Sequence, residues 1–241
     1  MPDALQIVPL HGMGEVRPGD DLAALIAASV APERPEGFAL ADGDVLVVTQ
    51  KIVSKAEGQL VPIDPSDPAA KLALVEQESV RIVRRRGELV ISETRHGFVC
   101  ANAGVDLSNV AEGTAALLPE DADRSARRIR AGLRAILGVE IAVIVSDTFG
   151  RPWRRGVTDV AIGCAGVAAV VDLRGTPDAS GRELVATEVC VADELASAAE
   201  LVMGKSSGVP VAVVRGVSPG WLRPSSVRAE IIRPSDEDLF R

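Results

Sequence analysis

The residue types best suited to chemistry follow an apolar stretch near the middle of the chain. Residues 141–145 are all apolar, which predicts a buried strand, and Asp147 and Thr148 come soon after it. Oxygen ligands of this kind are those that Mg2+ and Mn2+ prefer. Residues 151–155 include three arginines, which bind phosphates or carboxylates. The stretch predicts a metal or anion site on a loop after the strand, unless Asp147 caps a turn and the arginines face solvent.

Polar residues also follow two other predicted strands. Asp106 comes after one apolar run, and Lys51 and Lys55 come after the run at residues 45–48. Carboxylates suit a hard divalent metal, and lysines suit phosphate groups. Together with Asp147, these residues predict an enzyme that binds a metal and a nucleotide. The alternative is that they are unrelated caps at the ends of strands.

Two short features resemble known functional motifs but do not match them. The sequence Gly-Lys-Ser at residues 204–206 is not a P-loop, because Ala199 stands where the earlier glycine is required and a predicted helix precedes it. Its main-chain N–H groups can still be offered to an anion, or the segment is a plain turn between a helix and a strand. His11 and His96 both stand beside glycines in predicted turns, so a histidine-based catalytic triad has little support.

The composition narrows the classes of protein to consider. A chain of 241 residues with 47% apolar residues suits one large domain or two small ones. A net charge of -8 and only 2% aromatic residues argue against binding of nucleic acid. Three cysteines, far apart and odd in number, predict neither a zinc site nor disulfides, which fits a reduced, cytoplasmic compartment. No signal peptide and no membrane-spanning segment are expected.

The order of predicted elements indicates an α/β or α+β fold with mixed sheets and no clear internal boundary. Strands are predicted at residues 5–10, 45–48, 88–91, 98–101, 141–145, 160–162, 167–171, 183–191 and 211–214. Helices are predicted from about residue 20 to the prolines at 32 and 35, and over residues 69–86, 126–137 and 193–203.

Four separated phrases carry a resemblance to a known family. They are GDVLVVTQKIVSKAEG at 43–58, NAGVDLSN at 102–109, SDTFGRPWRRGVTDVAIG at 146–163 and MGKSSGVPVAVVRG at 203–216. These phrases resemble the coenzyme F420-0:L-glutamate ligase family, also called F420 gamma-glutamyl ligases. The similarity runs in one order over nearly the whole chain, so residues 1–241 are expected to form one such ligase domain, with two subdomains of uncertain boundary.

The resemblance implies an activity and an assembly. Such ligases use GTP to join L-glutamate to the carboxylate of coenzyme F420-0, or of a shorter polyglutamylated form, and release GDP and phosphate. They require Mg2+ or Mn2+ and are assisted by K+. Their two-domain α/β fold, with mixed sheets, forms an intertwined homodimer, and the nucleotide lies in a groove near the interface.

The resemblance also assigns roles by position. Asp106 and Asp147 match metal ligands, and Thr148 matches a ligand of a second metal. Two further roles come from the chemistry of the reaction and not from matched positions: Arg154 is expected to neutralise phosphate or to bind a substrate carboxylate, and Asp159 is a candidate general base for the incoming amine. The positions that match nucleotide contacts are Met13, Gly14, Glu15, Val16, Gln50, Lys51, Lys55, Asn109, Met203, Gly204, Lys205, Ser206, Ser207, Gly208 and Val209.

Two departures from the family pattern stand out. Lys205 lies near the place where archaeal members carry an acidic residue available to the second metal, and a protonated lysine cannot coordinate a cation. The C-terminal flavin-binding, reductase-like domain of some relatives is not expected in this chain. Two other functions remain open: a GTP and metal sensor without turnover, and an acid–amine ligase for another carboxylate. Few aromatic residues are present to select a deazaflavin.

Overall fold

The computed structural model describes residues 4–30, 38–64 and 66–239, and the prolines expected to end the first helix lie outside these ranges. The strands are β1 (Gln6–Pro9), β2 (Val45–Thr49), β3 (Leu60–Pro62), β4 (Ser79–Arg86), β5 (Leu89–Thr94), β6 (Val99–Ala101), β7 (Thr114–Ala116), β8 (Ala142–Arg151), β9 (Arg154–Ala165), β10 (Val171–Asp172), β11 (Glu188–Val189) and β12 (Val211–Arg215). The helices are α1 (Leu22–Ser29), α2 (Gln50–Ala56), α3 (Pro68–Gln77), α4 (Ala122–Leu137), α5 (Val191–Met203) and α6 (Val227–Glu230).

A five-stranded mixed sheet forms the centre of the molecule, in the order β1-β12-β2-β8-β9. Strands β2 and β8 run parallel, and their neighbours run antiparallel to them. Successive residues of β2 face opposite sides of the sheet: Leu46 and Val48 lie in one core, and Val45 and Val47 lie in another. Because both faces are buried, the strand reads as a continuous apolar run. The predicted α/β class with mixed sheets is confirmed.

The helices pack on both faces of this sheet. Helices α1 and α4 bury apolar residues in the first core, and α5 buries its apolar face in the second. Helix α4 begins after Asp121, whose carboxylate accepts the N–H of Arg124, and ends at Gly138 with a positive φ of 71°. A third and smaller core lies among α3, β5 and β7, away from the large sheet. No helix in the described ranges has the length and apolar character to span a membrane.

The prediction of one helix over residues 69–86 is wrong in its second half. Helix α3 ends at Gln77, and Ser79–Arg86 forms β4, which pairs antiparallel with β5. The β-branched residues Val80, Ile82 and Val83 favour an extended chain. Pairing with β5, a partner that local periodicity does not report, decides the outcome.

Two further predictions about loops and strands are wrong, and one helix was not predicted. No loop follows residue 145, because β8 continues through Asp147 and Thr148 and turns directly into β9. Residues 50–56, for which no element was predicted, form α2. Residues 167–171 and 183–191 are mostly irregular, with the short β10 and β11 segments and one isolated bridge between Pro177 and Glu183. In these ranges the main chain forms hydrogen bonds with loops; for example, the Ala168 N–H donates to the carbonyl of Trp221.

Candidate active site

The parallel pair β2 and β8 brings two of the predicted polar segments to one edge of the sheet. Thr49, the last residue of β2, lies opposite Ser146 of β8. The carboxyl ends of parallel neighbours meet at the same edge, so α2, which carries Lys51 and Lys55, begins beside Asp147. This arrangement could be anticipated only if β2 and β8 were known to be adjacent.

The hairpin of β8 and β9 carries a group of polar side chains on one face. Thr148 lies opposite Asp159 in the register of the two strands. The Thr148 hydroxyl donates to Asp159 Oδ1 at 2.7 Å, and the Ser146 hydroxyl donates to Asp159 Oδ2 at 3.1 Å. Because side chains alternate along a strand, Ser146 and Thr148 share this face and Asp147 projects from the other.

Lys205 completes the group around Asp159. Its Nζ lies 2.8 Å from Asp159 Oδ1 and 2.8 Å from Glu200 Oε1, and it also contacts the Thr148 hydroxyl. Burial alone would lower the pKa of Lys205, but the hydrogen bonds with Asp159 and Glu200 outweigh it and raise the pKa above its ordinary value. The charged ammonium of Lys205 therefore lies among the side-chain oxygens of Asp159, Glu200 and Thr148. Sequence reasoning missed Ser146 and Glu200, because nothing local links either residue to Asp159.

This cluster bears on two of the predicted roles. Asp159 is 2% exposed and accepts hydrogen bonds from two hydroxyls and one ammonium, so it positions Thr148 and Lys205. The Thr148 hydroxyl is engaged with the same two groups. In this arrangement the ammonium of Lys205 is the cation beside Thr148, and the role of Thr148 as a ligand of a second metal stays a prediction.

Asp106 is held in place from two directions. Lys51 Nζ lies 2.8 Å from Asp106 Oδ2, and the Ser108 N–H donates to Asp106 Oδ1 at 2.7 Å. The main chain of Asp106 also bridges to Ala116 of β7. Burial would raise the pKa of Asp106, but the hydrogen bonds from Lys51 and Ser108 outweigh it and hold the pKa below its usual value. Asp106 is therefore ionised at neutral pH.

Asp147 lies in an excess of negative charge. Burial raises the pKa of Asp147 to about 7. A main-chain hydrogen bond from Thr148 opposes this shift, the charges of Asp106 and Asp159 add to it, and the charge of Lys51 opposes it more weakly. Burial and then the charge of Asp147 raise the pKa of the Cys100 thiol to about 12. A cation beside Asp147 would relieve this repulsion.

The pair Asp106 and Asp147 fits one divalent metal. Among the residues described, no three histidine, cysteine or acidic side chains form a complete cage. Mg2+ does not require one, because it is usually bound by one or two carboxylates together with substrate phosphates and water. Two carboxylates whose charges repel each other supply hard oxygen donors of the appropriate kind.

The structure brings the loop of Met13–Val16 next to α2. Lys55 Nζ lies 2.5 Å from Glu15 Oε1. Val16 is buried in the first core and Met13 packs against that core, whereas Gly14 is exposed with open space where a Cβ would be. The predicted nucleotide contacts at Gly14, Glu15 and Lys55 thus share one surface.

The second predicted nucleotide loop divides into buried ends and an exposed middle. Met203 and Val209 are buried in the second core. Residues 204–208 between them are exposed, with positive φ at Gly204 and Gly208 and a hydrogen bond from the Ser207 hydroxyl to the Met203 carbonyl. Ser206 lies in the same exposed segment, next to Lys205. An anion can approach only this middle part.

Three predicted residues lie apart from these groups. Gln50 is buried, and its Nε2 donates to Ser54 Oγ at 2.6 Å and to the Leu117 carbonyl at 3.0 Å, so its amide donors are engaged within the protein. Asn109 is exposed, with a positive φ of 53°. Arg154 is exposed at the hairpin tip opposite Arg151, roughly 10 Å along the strand from Thr148 at about 3.3 Å per residue. Within this chain Arg154 does not join the cluster.

Comparison with known proteins tests the resemblance directly. The family model described as F420-0:Gamma-glutamyl ligase matches residues 12–216. The chain belongs to this family. It is 44% identical to the coenzyme F420:L-glutamate ligase of Methanothermobacter thermautotrophicus over 98% of this chain and 99% of that protein. It is 46% identical to the protein of the same name from Methanopyrus kandleri, over 98% of both chains. The equivalent from Methanocaldococcus jannaschii is 40% identical over 85% of this chain and 87% of its own length.

Proposed function

We propose that this protein is a GTP-dependent ligase that adds L-glutamate to coenzyme F420-0, and also to the singly glutamylated form, through a gamma-glutamyl amide bond. Family membership and relatives named coenzyme F420:L-glutamate ligase support the proposal. The observation that carries it is the pair Asp106 and Asp147, set beside Lys51 at the junction of β2 and β8. A homodimer and assistance by K+ belong to the same proposal.

The reaction must turn a carboxylate into an electrophile. Transfer of the γ-phosphoryl group of GTP to the acceptor carboxylate forms an acyl phosphate and releases GDP. The amine of glutamate then attacks the acyl carbon, the amide bond forms, phosphate leaves and the amine loses a proton. Charge on the phosphoryl group is the main obstacle in such transfers.

Different residues of the chain are proposed to serve different parts of this reaction. Asp106 and Asp147 would hold Mg2+ or Mn2+, which when bound neutralises phosphate charge. Lys51 fixes Asp106 through a 2.8 Å ion pair, and Lys55 presents a second ammonium beside the loop of Met13–Val16. The N–H groups of residues 205–208, in the exposed middle of the second loop, would offer hydrogen bonds to phosphate oxygens. Arg154 serves the substrate only if the hairpin tip reaches a site formed with a second copy of the chain.

Mass spectrometry of a complete reaction tests the proposal. With coenzyme F420-0, L-glutamate, GTP and Mn2+, we expect a product heavier by one or more glutamyl groups, and phosphate release that requires both organic substrates. Omission of GTP or replacement of glutamate by aspartate is the control. GTP binding without phosphate release would point to a sensor. Phosphate release with another acid, but not with coenzyme F420-0, would point to a different acceptor.

Replacing Lys205 with methionine tests the cation at the centre of the Asp159 cluster. Methionine is similar in length to lysine but has no charge. In the variant the buried carboxylate of Asp159 therefore accepts hydrogen bonds from only two hydroxyls. Hydrogen bonds to charged groups contribute about 1.5–3 kcal/mol, so kcat/KM should fall about 10-fold to 100-fold. Lys71→Met, on α3, is the matched control. Wild-type kinetics in Lys205→Met would show that the ammonium has no part in the reaction.

A further inference from the structure

A cavity of about 270 Å³ lies on the side of the sheet where α4 begins. Its walls come from the turn between β5 and β6, from β9 and from α6, and they include Arg95, His96, Phe98, Ile162 and Arg228. None of the residues assigned above to metal, nucleotide or catalysis lines it. The cavity is therefore a feature that the proposed reaction has not yet used.

His96 is the first sign that the cavity receives a ligand. Both ring nitrogens are buried, and neither has a hydrogen-bond partner among the residues described. The carbonyls of Pro119 and Glu120 lie near the ring without forming hydrogen bonds of acceptable geometry. Burial, and then the charge of Arg95, lower the pKa of His96, so the ring is neutral and offers one donor and one acceptor. Buried polar atoms are nearly always paired, so an unpaired ring marks a place for a bound group.

The acids at the cavity wall are already occupied by partners in the protein. Asp123 accepts the N–H groups of Cys164, Val227 and Arg228 at 2.8–3.1 Å. The Glu120 carboxylate is paired with Arg124 at 2.7 Å, and the carboxylate of Asp121 caps α4.

The two arginines of the cavity are less fully paired. Arg95 has one long ion pair, 3.6 Å, with Glu78. Within the described ranges no acidic group forms an ion pair with the Arg228 side chain. Guanidinium groups bind carboxylates and phosphates with two parallel hydrogen bonds. Although the wall also carries Glu120, Asp121 and Asp123, the guanidinium of Arg228 is a charged donor that could bind an anion there.

A row of rings connects the cavity to the candidate active site. The ring of His96 stacks on Phe98 with centroids 6.1 Å apart, and Phe98 meets the edge of Phe149 at 6.0 Å. Phe149 directly follows Thr148 in β8. The rings therefore link the wall of the cavity to the strand that carries Asp147.

The size of the cavity indicates how much of a ligand it can enclose. A volume of 270 Å³ corresponds to roughly nine water molecules at about 30 Å³ each. That space holds a small organic acid or one end of a larger molecule.

We propose that the cavity bounded by Arg95, His96 and Arg228 binds a carboxylate of an organic acid substrate, and that the nucleotide binds elsewhere. This inference rests on the proposed ligase function, which requires two carboxylate substrates besides GTP. The bound carboxylate could belong to L-glutamate or to the acceptor, and the experiments below distinguish these two substrates.

Histidine NMR gives a direct test, because the chain contains only two histidines, His11 and His96. In protein labelled at histidine, His96→Asn assigns the two imidazole signals. Addition of L-glutamate or of coenzyme F420-0 should shift the His96 signal and leave that of exposed His11 in place. GTP should not shift the His96 signal. A His96 signal that responds to GTP, or to neither carboxylate, would overturn the inference.

Kinetics of Arg228→Gln then identify the source. The variant should raise the KM for one carboxylate substrate about tenfold or more, as loss of a bidentate guanidinium contact does, with the KM for GTP unchanged. Arg128→Gln, on the exposed side of α4, makes the same change in charge and is the control. Unchanged KM values in an active enzyme would refute the cavity as a substrate site. A wild type that forms no product, yet shows the His96 shift, would refute the ligase function alone.

Discussion

Replacing Asp147 with asparagine is expected to reduce ligation by at least about a hundredfold and to weaken Mn2+ binding in parallel, because loss of a supporting group at a metal site already costs about 10-fold to 100-fold. Asparagine keeps the shape of the side chain and removes one of the two carboxylates that fit a metal. It also removes the repulsion with Asp106, so the variant should be at least as stable as the wild type. A loss of activity would then result from the loss of a metal ligand and not from unfolding.

Titration with Mn2+, followed by electron paramagnetic resonance, measures the binding separately from turnover. Asp172→Asn changes an exposed acid in the short β10 strand and is the matched control. Thermal unfolding of the three proteins checks that the fold is retained. Wild-type Mn2+ affinity in Asp147→Asn would exclude this residue as a metal ligand.

The pH dependence of Mn2+ binding gives a second readout of the same residue. The pKa of Asp147 in the metal-free protein is raised to about 7, so below that pH the carboxyl group is protonated and a metal must displace the proton. Mn2+ affinity should therefore rise as the pH rises, by up to about tenfold per unit below 7, and level off above it. Asp147→Asn should lose this dependence.

Gly163→Ala is expected to lower the free energy of unfolding by about 3 kcal/mol or more, the upper end of the usual cost of overpacking. A Cβ at Gly163 would lie 2.3 Å from the carbonyl carbon of Ala122 and 2.6 Å from the nitrogen of Asp123. These are main-chain atoms at the start of α4, so no rotamer change can relieve the clash. The Asp123 carboxylate also binds the N–H of Cys164, which holds the helix and β9 together.

Gly150→Ala, in the same hairpin, is the control for this stability measurement. No atom lies within 4 Å of the position that its Cβ would occupy. Surface substitutions of this kind usually change stability by less than about 0.5 kcal/mol. Urea unfolding curves of both variants and the wild type give the comparison. Equal midpoints for Gly163→Ala and Gly150→Ala would mean that α4 does not pack on β9 as closely as described.

Local sequence patterns were sufficient for the regular parts of the fold. The apolar run of β2 lies between polar residues, and its burial on both faces makes it a strand whatever its neighbours are. Helices α4 and α5 were predicted from apolar spacing and a terminal glycine, to within a few residues of their starts. The four phrases that identify the family are also contiguous. In each case the deciding interactions lie among residues close in the chain.

Long-range pairing decided the parts that sequence could not predict. Residues 79–86 became β4 through pairing with β5, and Asp147 entered a strand because β9 continues the hairpin beside it. Local patterns carry no information about strand register or about partners remote in sequence.

By itself, the sequence determined the mixed α/β class, the family and the acids expected to bind a metal. Only the tertiary structure decided that Lys205 joins Asp159 and Glu200 across 46 and 5 positions of the chain, and that His96 and Arg228 meet in one cavity. The physical reason is that hydrophobic periodicity is a property of neighbouring residues, whereas ion pairs, raised pKa values and cavities depend on distances between segments that only folding brings together.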